Sequence, residues 1–439
     1  MPNCTSDFPL FGRVGRRDLS AEFCGGAITS DAGMLLLRQA DRRLGLIDSV
    51  ASVIPDHRRD PRAAKHSVAN LLRQRVFGIA CGYEDLNDHN RLRRDAGVTA
   101  ALGRIEDGAS AATFSRFERH WDRDTAWAVH ALLIDHFVAS FDEAPDELIL
   151  DFDATDDRVH GQQPGGGFHG YYRHYCFLPL YVFCGEHLLV SYLRPGLIDG
   201  AKHAGAILRL LVKRLRQSWP GVRIVFRGDS GFCRRKILHW CEHNAVDYIV
   251  GLARNKRLER MGAPAMARAV SDFDASGVKQ RHFAELGYAA KTWKTTRRVI
   301  AKCEVTARGT NPRFVITNSP GDGQAIYDRL YCARGEMENR IKEQQLGLFA
   351  DRTSSTQWWA NQCRLLLSSL AYVLLHTVRR IGLAGTDMAR AQVSTIRNRL
   401  LKIGGIVISN TRRIRFLLPT HCPDQVIWQR AAEALKPSG

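Results

Sequence analysis

The sequence predicts an α/β protein in which a mixed sheet follows a helical region. From about residue 148 to residue 251, short apolar runs alternate with amphipathic segments in the order β-β-β-α-β-α-β. From about residue 30 to residue 136, the apolar residues instead keep the spacing of amphipathic helices. Strands interleaved with helices form a sheet that is covered by those helices. We therefore expect a sheet-based core behind a helical N-terminal region.

The N-terminal region, residues 1–143, contains three segments with one apolar helical face each. They are AGMLLLRQADRRLGLI, AAKHSVANLLRQRVFGIACGYEDL and SAATFSRFERHWD. Pro, Gly and Asp residues separate them, and Thr29, Ser30 or Asp31 is expected to cap the first helix. Pattern alone leaves open whether these helices bind DNA or form a plain scaffold.

The sheet begins in residues 144–254. Its expected strands are LILDFD, CFLPLYVFC, HLLVSYL, VRIVFRGD and VDYIVGL, and its expected helices are AKHAGAILRLLVKRLRQSW and CRRKILHWCEHN. Residues 255–325 again favour strands, as in RRVIAKCEVTA and RFVITN. Residues 326–439 are expected to be helical, with a long helical stretch that begins near Leu330.

The charge of the chain indicates a polyanionic partner. The 439 residues carry a formal net charge of +18, and the pI is near 9.7. Residues 201–260 hold fourteen Lys or Arg against four Asp or Glu, and residues 361–420 hold ten against one. Such excess most often serves nucleic-acid binding. A basic surface that only maintains solubility is the alternative.

Cysteine usage and hydropathy indicate a reduced compartment. The eleven cysteines include no C-x-x-C pair, so neither a zinc ribbon nor a disulfide framework is suggested. The N-terminal stretch MPNCTSDFPLFGRVGRRDLS lacks the apolar core of a secretion signal, and no apolar run reaches the roughly 18 residues that span a bilayer. We expect a cytoplasmic protein that does not enter a membrane.

Two carboxylates lie inside the first strand, LILDFD. Successive strand side chains point to opposite faces, so Asp151 and Asp153 share a face with Ile149. Two neighbouring anions on an apolar strand favour a divalent cation between or beside them. Alternatively, Asp153 with Thr155 only ends the strand in a turn.

A third aspartate has a similar position. Asp229 closes the strand VRIVFRGD just before the turn SGF, and ligands bind at strand ends in open α/β sheets. The sequence GDSG also occurs around the nucleophile of chymotrypsin-like proteases. That fold is all-β, whereas this strand leads into a basic helix, so a protease is disfavoured.

The segment LYCARGEMENRIKEQQLGLF carries a glutamate in a helical pattern. Tyr331, Arg334, Glu338 and Lys342 recur every three or four residues and would line one helix face. Taken alone, this is an ordinary solvated face.

The loop around PGGGF is a candidate metal or nucleotide site. His160, His169 and His174 surround it without a standard zinc spacing, and the glycines lack the Lys-Ser/Thr of a P-loop. A flexible loop near a DNA backbone is favoured, in which Gln162 or Gln163 contacts DNA or is simply solvated.

Together these motifs resemble a known family. DATDDRVHGQQ, FRGDSGF and YCARGEMENRIKE, in that order, resemble the catalytic segments of bacterial insertion-sequence transposases with an Asp-Asp-Glu triad. The likeness is strongest to the insertion-sequence 1380 group, and FCGGAITSDAGMLLLRQADRRLGL and GYEDLNDHNRLRRD extend it over nearly the whole chain. The resemblance implies a ribonuclease-H-like mixed-sheet core in which residues 255–325 are a strand-rich insertion.

The resemblance assigns the triad to Asp153, Asp229 and Glu338, with Asp151 as the alternative to Asp153. The Asp-x-Thr pattern of related transposases matches Asp153 and Thr155. Independently of any family, carboxylates supply hard oxygen ligands suited to Mg²⁺ or Mn²⁺, and two such ions about 3.5 to 4 Å apart can serve both oxygens of an in-line displacement.

The related Tyr-x2-Arg-x3-Glu-x6-Lys signature fits only in part. Tyr331, Arg334 and Glu338 match it, but the position of the lysine is Gln345. Lys342 could replace that lysine one turn earlier, and Tyr331, Arg334 and Lys342 are expected to contact DNA. In the basic helix that follows HLLVSYL, Lys213 and Arg216 are expected to contact phosphates near the strand end that carries Asp229.

The sequence therefore predicts a Mg²⁺-dependent DNA transposase. It would cleave at the terminal inverted repeats of its element, join the 3′ ends to target DNA and act as a homodimer on paired ends, with the helical N-terminal region reading the repeats. A structure-specific nuclease of the same fold and a non-enzymatic DNA-binding derivative are the alternatives. The derivative would be expected to have lost a carboxylate, and all three are present.

Overall fold

A computed structural model describes residues 10–58, 60–61 and 64–437. They fall into two compact units. The core unit comprises residues 126–346 and 350–369, and the terminal unit comprises the described residues before 126 together with 347–349 and 370–437. Residues 1–9, which begin the stretch expected to lack a secretion signal and include Cys4, lie outside the described residues. The ten cysteines of the described residues form no disulfide bond.

The strands of the described residues are β1 Leu10–Val14, β2 Arg17–Ser20, β3 Ile28–Thr29, β4 Glu147–Ala154, β5 Asp157–Arg158, β6 Gly167–His169, β7 His174–Phe177, β8 Leu180–Cys184, β9 His187–Tyr192, β10 Arg223–Gly228, β11 Val246–Leu252, β12 Gln280–Tyr288, β13 Arg297–Thr306, β14 Gly309–Thr310, β15 Arg313–Thr317, β16 Gly405–Ser409 and β17 Ile414–Leu417. The helices are α1 Met34–Leu44, α2 Leu46–Val53, α3 Val68–Ala80, α4 His89–Leu92, α5 Ala96–Ala101, α6 Ala111–Arg119, α7 Arg123–Val138, α8 Ala204–Ser218, α9 Arg235–His243, α10 Lys256–Ser276, α11 Gly323–Ala325, α12 Gly335–Lys342, α13 Trp358–Thr377, α14 Val393–Ile396 and α15 Gln425–Ala434. No described helix is both long and apolar enough to cross a membrane.

The core unit contains a mixed sheet with the strand order β12-β13-β15-β11-β10-β4-β8-β9, and β14 pairs with β13. Strands β4, β10 and β11 are parallel, whereas β8 and β9 run antiparallel beside β4. This strand order and the connecting helices α8 and α9 make a ribonuclease-H-like core. The fold class predicted from the sequence is confirmed, and the strands of the main sheet follow the expected order β-β-β-α-β-α-β, as β4, β8, β9, α8, β10, α9 and β11. The short strands β5, β6 and β7 between β4 and β8 were not predicted, and the expected strand CFLPLYVFC is divided between β7 and β8.

The insertion between β11 and the helical segment that follows β15 extends the same sheet. Strands β12, β13 and β15 continue it antiparallel from β11. The insertion also begins with the 21-residue helix α10, which the strand-rich pattern did not predict. The sheet is therefore continuous across the insertion.

The two faces of β4 meet different layers, as strand alternation predicts. Leu148, Leu150 and Phe152 enter the large apolar core that also receives Leu208 and Leu211 of α8. On the other face, Ile149 packs in a smaller cluster formed by β10, β11, β13, β15 and the helical segment 323–347. The face that carries Asp151 and Asp153 is thus covered by that helical segment and not by α8.

The basic helix α8 is fixed at the far end of the parallel strands. Arg216 donates from Nη1 to the carbonyl of Asn244 at 2.7 Å and from Nη2 to that of Ala245 at 2.7 Å. Those carbonyls precede β11, whereas Asp229 follows the opposite end of the parallel strand β10. The expectation that Arg216 lies near Asp229 is therefore wrong, while DNA binding by this helix stays a prediction.

The terminal unit combines the predicted helices with strands that the sequence did not reveal. β3 pairs with β16, which forms a hairpin with β17, so part of the C-terminal segment expected to be helical is extended. Helix α1 begins after Gly33 without a side-chain cap, so the capping prediction is wrong. Asp31 instead pairs with Lys402 at 2.7 Å and accepts a hydrogen bond from the Tyr83 hydroxyl at 2.7 Å.

We predict that Arg216→Ala lowers the free energy of unfolding by about 1 to 3 kcal/mol, because two carbonyl groups lose a charged donor. Lys213, which is exposed on the same helix, is the matched control, and Lys213→Ala should change stability by less than about 0.5 kcal/mol. Urea denaturation of both variants measures the difference. Equal stabilities would show that the two carbonyl contacts contribute nothing.

Candidate active site

Asp151 is engaged by a buried ion pair. Its register partner on β10 is Arg227, whose Nη2 lies 2.6 Å from Oδ2 and whose Nε donates to Oδ1. Arg227 also donates from Nη1 to the carbonyl of Leu330. Burial raises the pKa of Asp151 above its ordinary value, although Arg227 favours the charged form. Asp151 thus binds the neighbouring strand and, through Arg227, the helical segment.

Asp153 has a different environment two residues later. Its Oδ2 lies 3.1 Å from Nη2 of Arg334, and its Oδ1 accepts the backbone N–H of Ala154 at 3.0 Å. Burial raises the pKa of Asp153 to about 6; Arg334 opposes this rise, and the negative charges of Asp229 and Glu338 add to it. Asp153 is therefore the strand carboxylate that faces the other two members of the predicted triad.

Asp229 is held at the end of β10 by its own turn. Its Oδ1 accepts the N–H of Gly231 at 2.8 Å, which caps the short turn Ser230–Phe232. The turn passes close to β11, since a Cβ on Gly251 would lie 2.8 Å from the backbone nitrogen of Ser230 and 2.7 Å from the hydroxyl of Tyr331. Only glycine allows this approach. Gly251 is a positioning residue that the sequence pattern did not reveal.

The third carboxylate comes from an irregular helical segment. α11 continues through a π-helical segment (Ile326–Tyr331) and one turn of 3₁₀-helix into α12, and a second π-helical segment (Glu343–Gly347) follows. Arg334 donates from Nη1 to Oε1 of Glu338 at 2.9 Å, so these two residues share a face as predicted. Lys342 is exposed one turn further on.

Arg334 links the three carboxylates of the predicted triad. It contacts Asp153 and Glu338 directly, and the negative charges of Asp153, Asp229 and Glu338 all raise its pKa against the effect of burial. The three acidic side chains, from β4, the end of β10 and α12, are thus brought to one place in the core unit. One guanidinium offsets part of their charge.

The donor chemistry suits a hard divalent cation, because all three groups are carboxylates. Within the described ranges, however, no group of three or more His, Cys, Asp or Glu side chains is spaced to hold a metal ion. The guanidinium of Arg334 lies against two of the three carboxylates. The three side chains have the donor chemistry of a metal site, and their use as metal ligands stays a prediction.

Gln345, which stands where related sequences have lysine, contacts the chain just beyond Asp153. Its Nε2 donates to the carbonyl of Asp156 and to Oδ1 of Asp157, both at 2.9 Å. Asp157 is fully buried, its Oδ2 has no hydrogen-bond partner among the described atoms, and burial raises its pKa to about 8. Gln345 thus supports the loop after β4.

The glycine-rich loop is anchored, which corrects the expectation of a flexible loop. Gln163 donates from Nε2 to the carbonyl of Ser355 at 2.9 Å, and a Cβ on Gly165 would lie 2.4 Å from the ring of Trp358. Gln162 is exposed, so its contact with DNA stays a prediction. His174 pairs with Asp156 at 2.7 Å.

A ribonuclease-H-like sheet with carboxylates at the ends of β4 and β10 and a third on α12 beside them has the donor chemistry of metal-dependent phosphodiester-cleaving proteins. The model of the family "Transposase DDE domain group 1" matches residues 11–439, so the chain belongs to that family and is a DNA transposase. The chain is also similar to a solved structure described as a synaptic complex of piggyBac transposase with hairpin DNA, with 11% identity over 87% of this chain and 81% of that one and a TM-score of 0.38. No curated protein matches the chain.

We predict that Asp151→Ala lowers the free energy of unfolding by about 3 to 5 kcal/mol, because it leaves the buried charge of Arg227 unpaired. Replacing both partners with apolar residues should recover most of that loss. Thermal or chemical denaturation of Asp151→Ala and of a double Asp151→Leu, Arg227→Met variant tests this. A single variant as stable as the unchanged protein would contradict the role of the pair.

We predict that the buried Asp157 makes the metal-free protein less stable as pH rises. Its pKa is about 8 in the folded chain and about 4 in the unfolded chain, so its contribution is fully present below pH 4 and is lost as pH rises through 8. Asp157→Asn should flatten this dependence and raise the melting temperature at pH 8 to 9. Asp274→Asn, at an exposed aspartate, is the control. Parallel melting curves for Asp157→Asn and the unchanged protein at every pH would contradict the prediction.

Proposed function

We propose that this transposase cleaves the DNA backbone at the ends of its own element and transfers the 3′ ends to target DNA by two-metal in-line phosphoryl transfer. The observation that carries the proposal is the convergence of Asp153, Asp229 and Glu338 on one cation, Arg334. Folding alone does not require carboxylates from three separate segments to lie close together. Their meeting is understandable if a cation and a phosphodiester bind there.

DDE transposases generally act with divalent metal ions. We propose Mg²⁺, with Mn²⁺ able to substitute, as two ions held by Asp153, Asp229 and Glu338, which would activate the attacking oxygen and stabilise the leaving oxygen. The engagement of Asp151 by Arg227 supports Asp153 as the ligand from β4. The chain's own residues would hold the ions and, through Arg334, offset excess negative charge.

The DNA strand that is cleaved is proposed to contact three residues of the helical segment, Tyr331, Arg334 and Lys342. Arg334 and Lys342 lie one turn before and one turn after Glu338 on the same helical segment, and Lys342 is exposed. Contacts between cations and phosphates position DNA without reading its sequence. Because Arg216 lies at the far end of the strands, we propose that Lys213 and Arg216 contact DNA away from the cleaved phosphate. Gln162 remains a proposed DNA contact on the anchored loop.

Finer features are also proposed. We infer membership of the insertion-sequence 1380 group from the motifs around Asp153, Asp229 and Glu338, and with it a bacterial source and a cytoplasmic, nucleoid-associated location. A homodimer on paired ends, recognising the terminal repeats through the helical N-terminal region, follows the same likeness. A nuclease that cuts without joining strands is the competing function, and an assay for joined products separates the two.

We predict that Asp153→Asn, Asp229→Asn and Glu338→Gln each reduce cleavage of DNA carrying the element's ends by at least about 10³-fold, since each removes a ligand of the metal ions. Duplex DNA binding, measured by electrophoretic mobility shift, should survive. Glu336→Gln is the matched control, because Glu336 is an exposed carboxylate on the same helix. Normal cleavage by a folded Asp229→Asn protein would overturn the assignment of the triad.

A further inference from the structure

The segment between β4 and β8 presents exposed aromatic rings. β5, β6 and β7 form a separate three-stranded sheet, and we call residues 167–177, which comprise β6, β7 and their turn, the aromatic hairpin. Phe168 is 50% exposed, Tyr171 84% and Tyr175 62%. Phe168 and Tyr175 are cross-strand partners whose ring centroids lie 5.7 Å apart. A group of exposed rings on a short hairpin is a typical binding surface.

The aromatic hairpin is attached next to the candidate active site. The hydroxyl of Tyr172 donates to the carbonyl of Ala154 at 3.2 Å, and Ala154 directly follows Asp153. The rings of Tyr171 and Tyr172 meet edge to face with centroids 5.0 Å apart. The highly exposed Tyr171 therefore contacts Tyr172, which in turn contacts the strand end that carries Asp153 of the proposed triad.

Close packing fixes the base of the hairpin. A Cβ on Gly167 would lie 2.3 Å from Cγ of Leu197, and one on Gly165 would lie 2.4 Å from the ring of Trp358. Trp358 also meets Phe177 edge to face, with centroids 5.6 Å apart. The backbone at the base of the hairpin is thus held by close packing. Little conformational entropy is therefore lost when the exposed rings bind a ligand.

We propose that the aromatic hairpin stacks on an unpaired nucleobase of the DNA beside the cleaved phosphate. This proposal rests on the proposed function, which places the scissile phosphate at Asp153. Aromatic side chains stack on any base, and the exposed Arg158 on β5 and Arg173 in the hairpin turn supply positive charge for the backbone. The base must be unpaired, because the faces of paired bases are covered by their neighbours in the duplex.

The test compares two DNA probes that differ only in an unpaired base. One is a blunt duplex, and the other is the same duplex with a short single-stranded overhang containing 2-aminopurine, whose fluorescence is quenched by stacking. The unchanged protein should quench the overhang and bind it more tightly than the blunt duplex. Tyr171→Ala should weaken overhang binding by about tenfold and relieve the quenching, with blunt-duplex binding unchanged.

Two further variants separate stacking from other effects. Tyr171→Phe keeps the ring and should behave as the unchanged protein does. Trp127→Ala removes an exposed aromatic ring on α7 and should leave both probes unaffected. Unaltered quenching and affinity in Tyr171→Ala would overturn the proposal. Loss of binding to both probes in that variant would also overturn it, because the residue would then contribute to duplex binding or folding.

The outcomes also distinguish this proposal from the proposed function. Metal-dependent cleavage that requires Asp153, without selective quenching of the overhang, would remove only the stacking role. Selective quenching that depends on Tyr171, without cleavage by any metal-loaded protein, would leave a binding site for unpaired bases and overturn the transposition chemistry.

Discussion

The candidate active site depends on the buried ion pair between Asp151 and Arg227. The pair joins the two central parallel strands, and the third donor of Arg227 reaches the carbonyl of Leu330 in the helical segment. That segment carries Arg334 and Glu338, so one guanidinium fixes their support against the strand that carries Asp153. A buried charge pair is costly unless nearly all its hydrogen-bonding groups are satisfied, which favours one defined arrangement of strand and helix. Of the two aspartates of the first core strand, Asp151 therefore stabilises the fold, and Asp153 is the proposed metal ligand.

Arg334 offsets part of the negative charge of the three carboxylates at the candidate active site. Three carboxylates in a partly buried place repel one another, and the guanidinium lowers that repulsion while no metal ion is bound. Divalent ions would take over the same role with twice the charge per ion. Arg334 would then be released close to the place where a phosphate must bind, and a guanidinium matches phosphate oxygens well. We propose that the same residue stabilises the metal-free protein and contacts DNA when metal ions are bound.

The sequence predicted the fold well because its signals are local. Strand β11 coincides with VDYIVGL, and the alternation in β4 correctly divided Phe152 from Asp153. The sequence could not show that Arg227 would form an ion pair with Asp151, since the register between β4 and β10 depends on tertiary structure. Nor could it show that Gly251 gives room to Tyr331, or that Arg216 would bind carbonyls at the far end of the strands. The helix α10 and the strand β16 were missed because a weak pattern can be outweighed by contacts distant in sequence.

The two π-helical segments determine which side of the helix each residue occupies. A π turn contains about one residue more than an α turn, so the direction of every later side chain changes by roughly 100° around the helix axis. After one turn of 3₁₀-helix, residues 335–342 form an ordinary α-helix, and Arg334 and Glu338 keep a common face. Gln345 lies inside the second π segment, seven residues after Glu338, and an uninterrupted α-helix would have brought it back to that face. Within this π segment Gln345 donates to Asp157, so the residue at this position supports the loop after β4, whatever the linear spacing of the motif suggests.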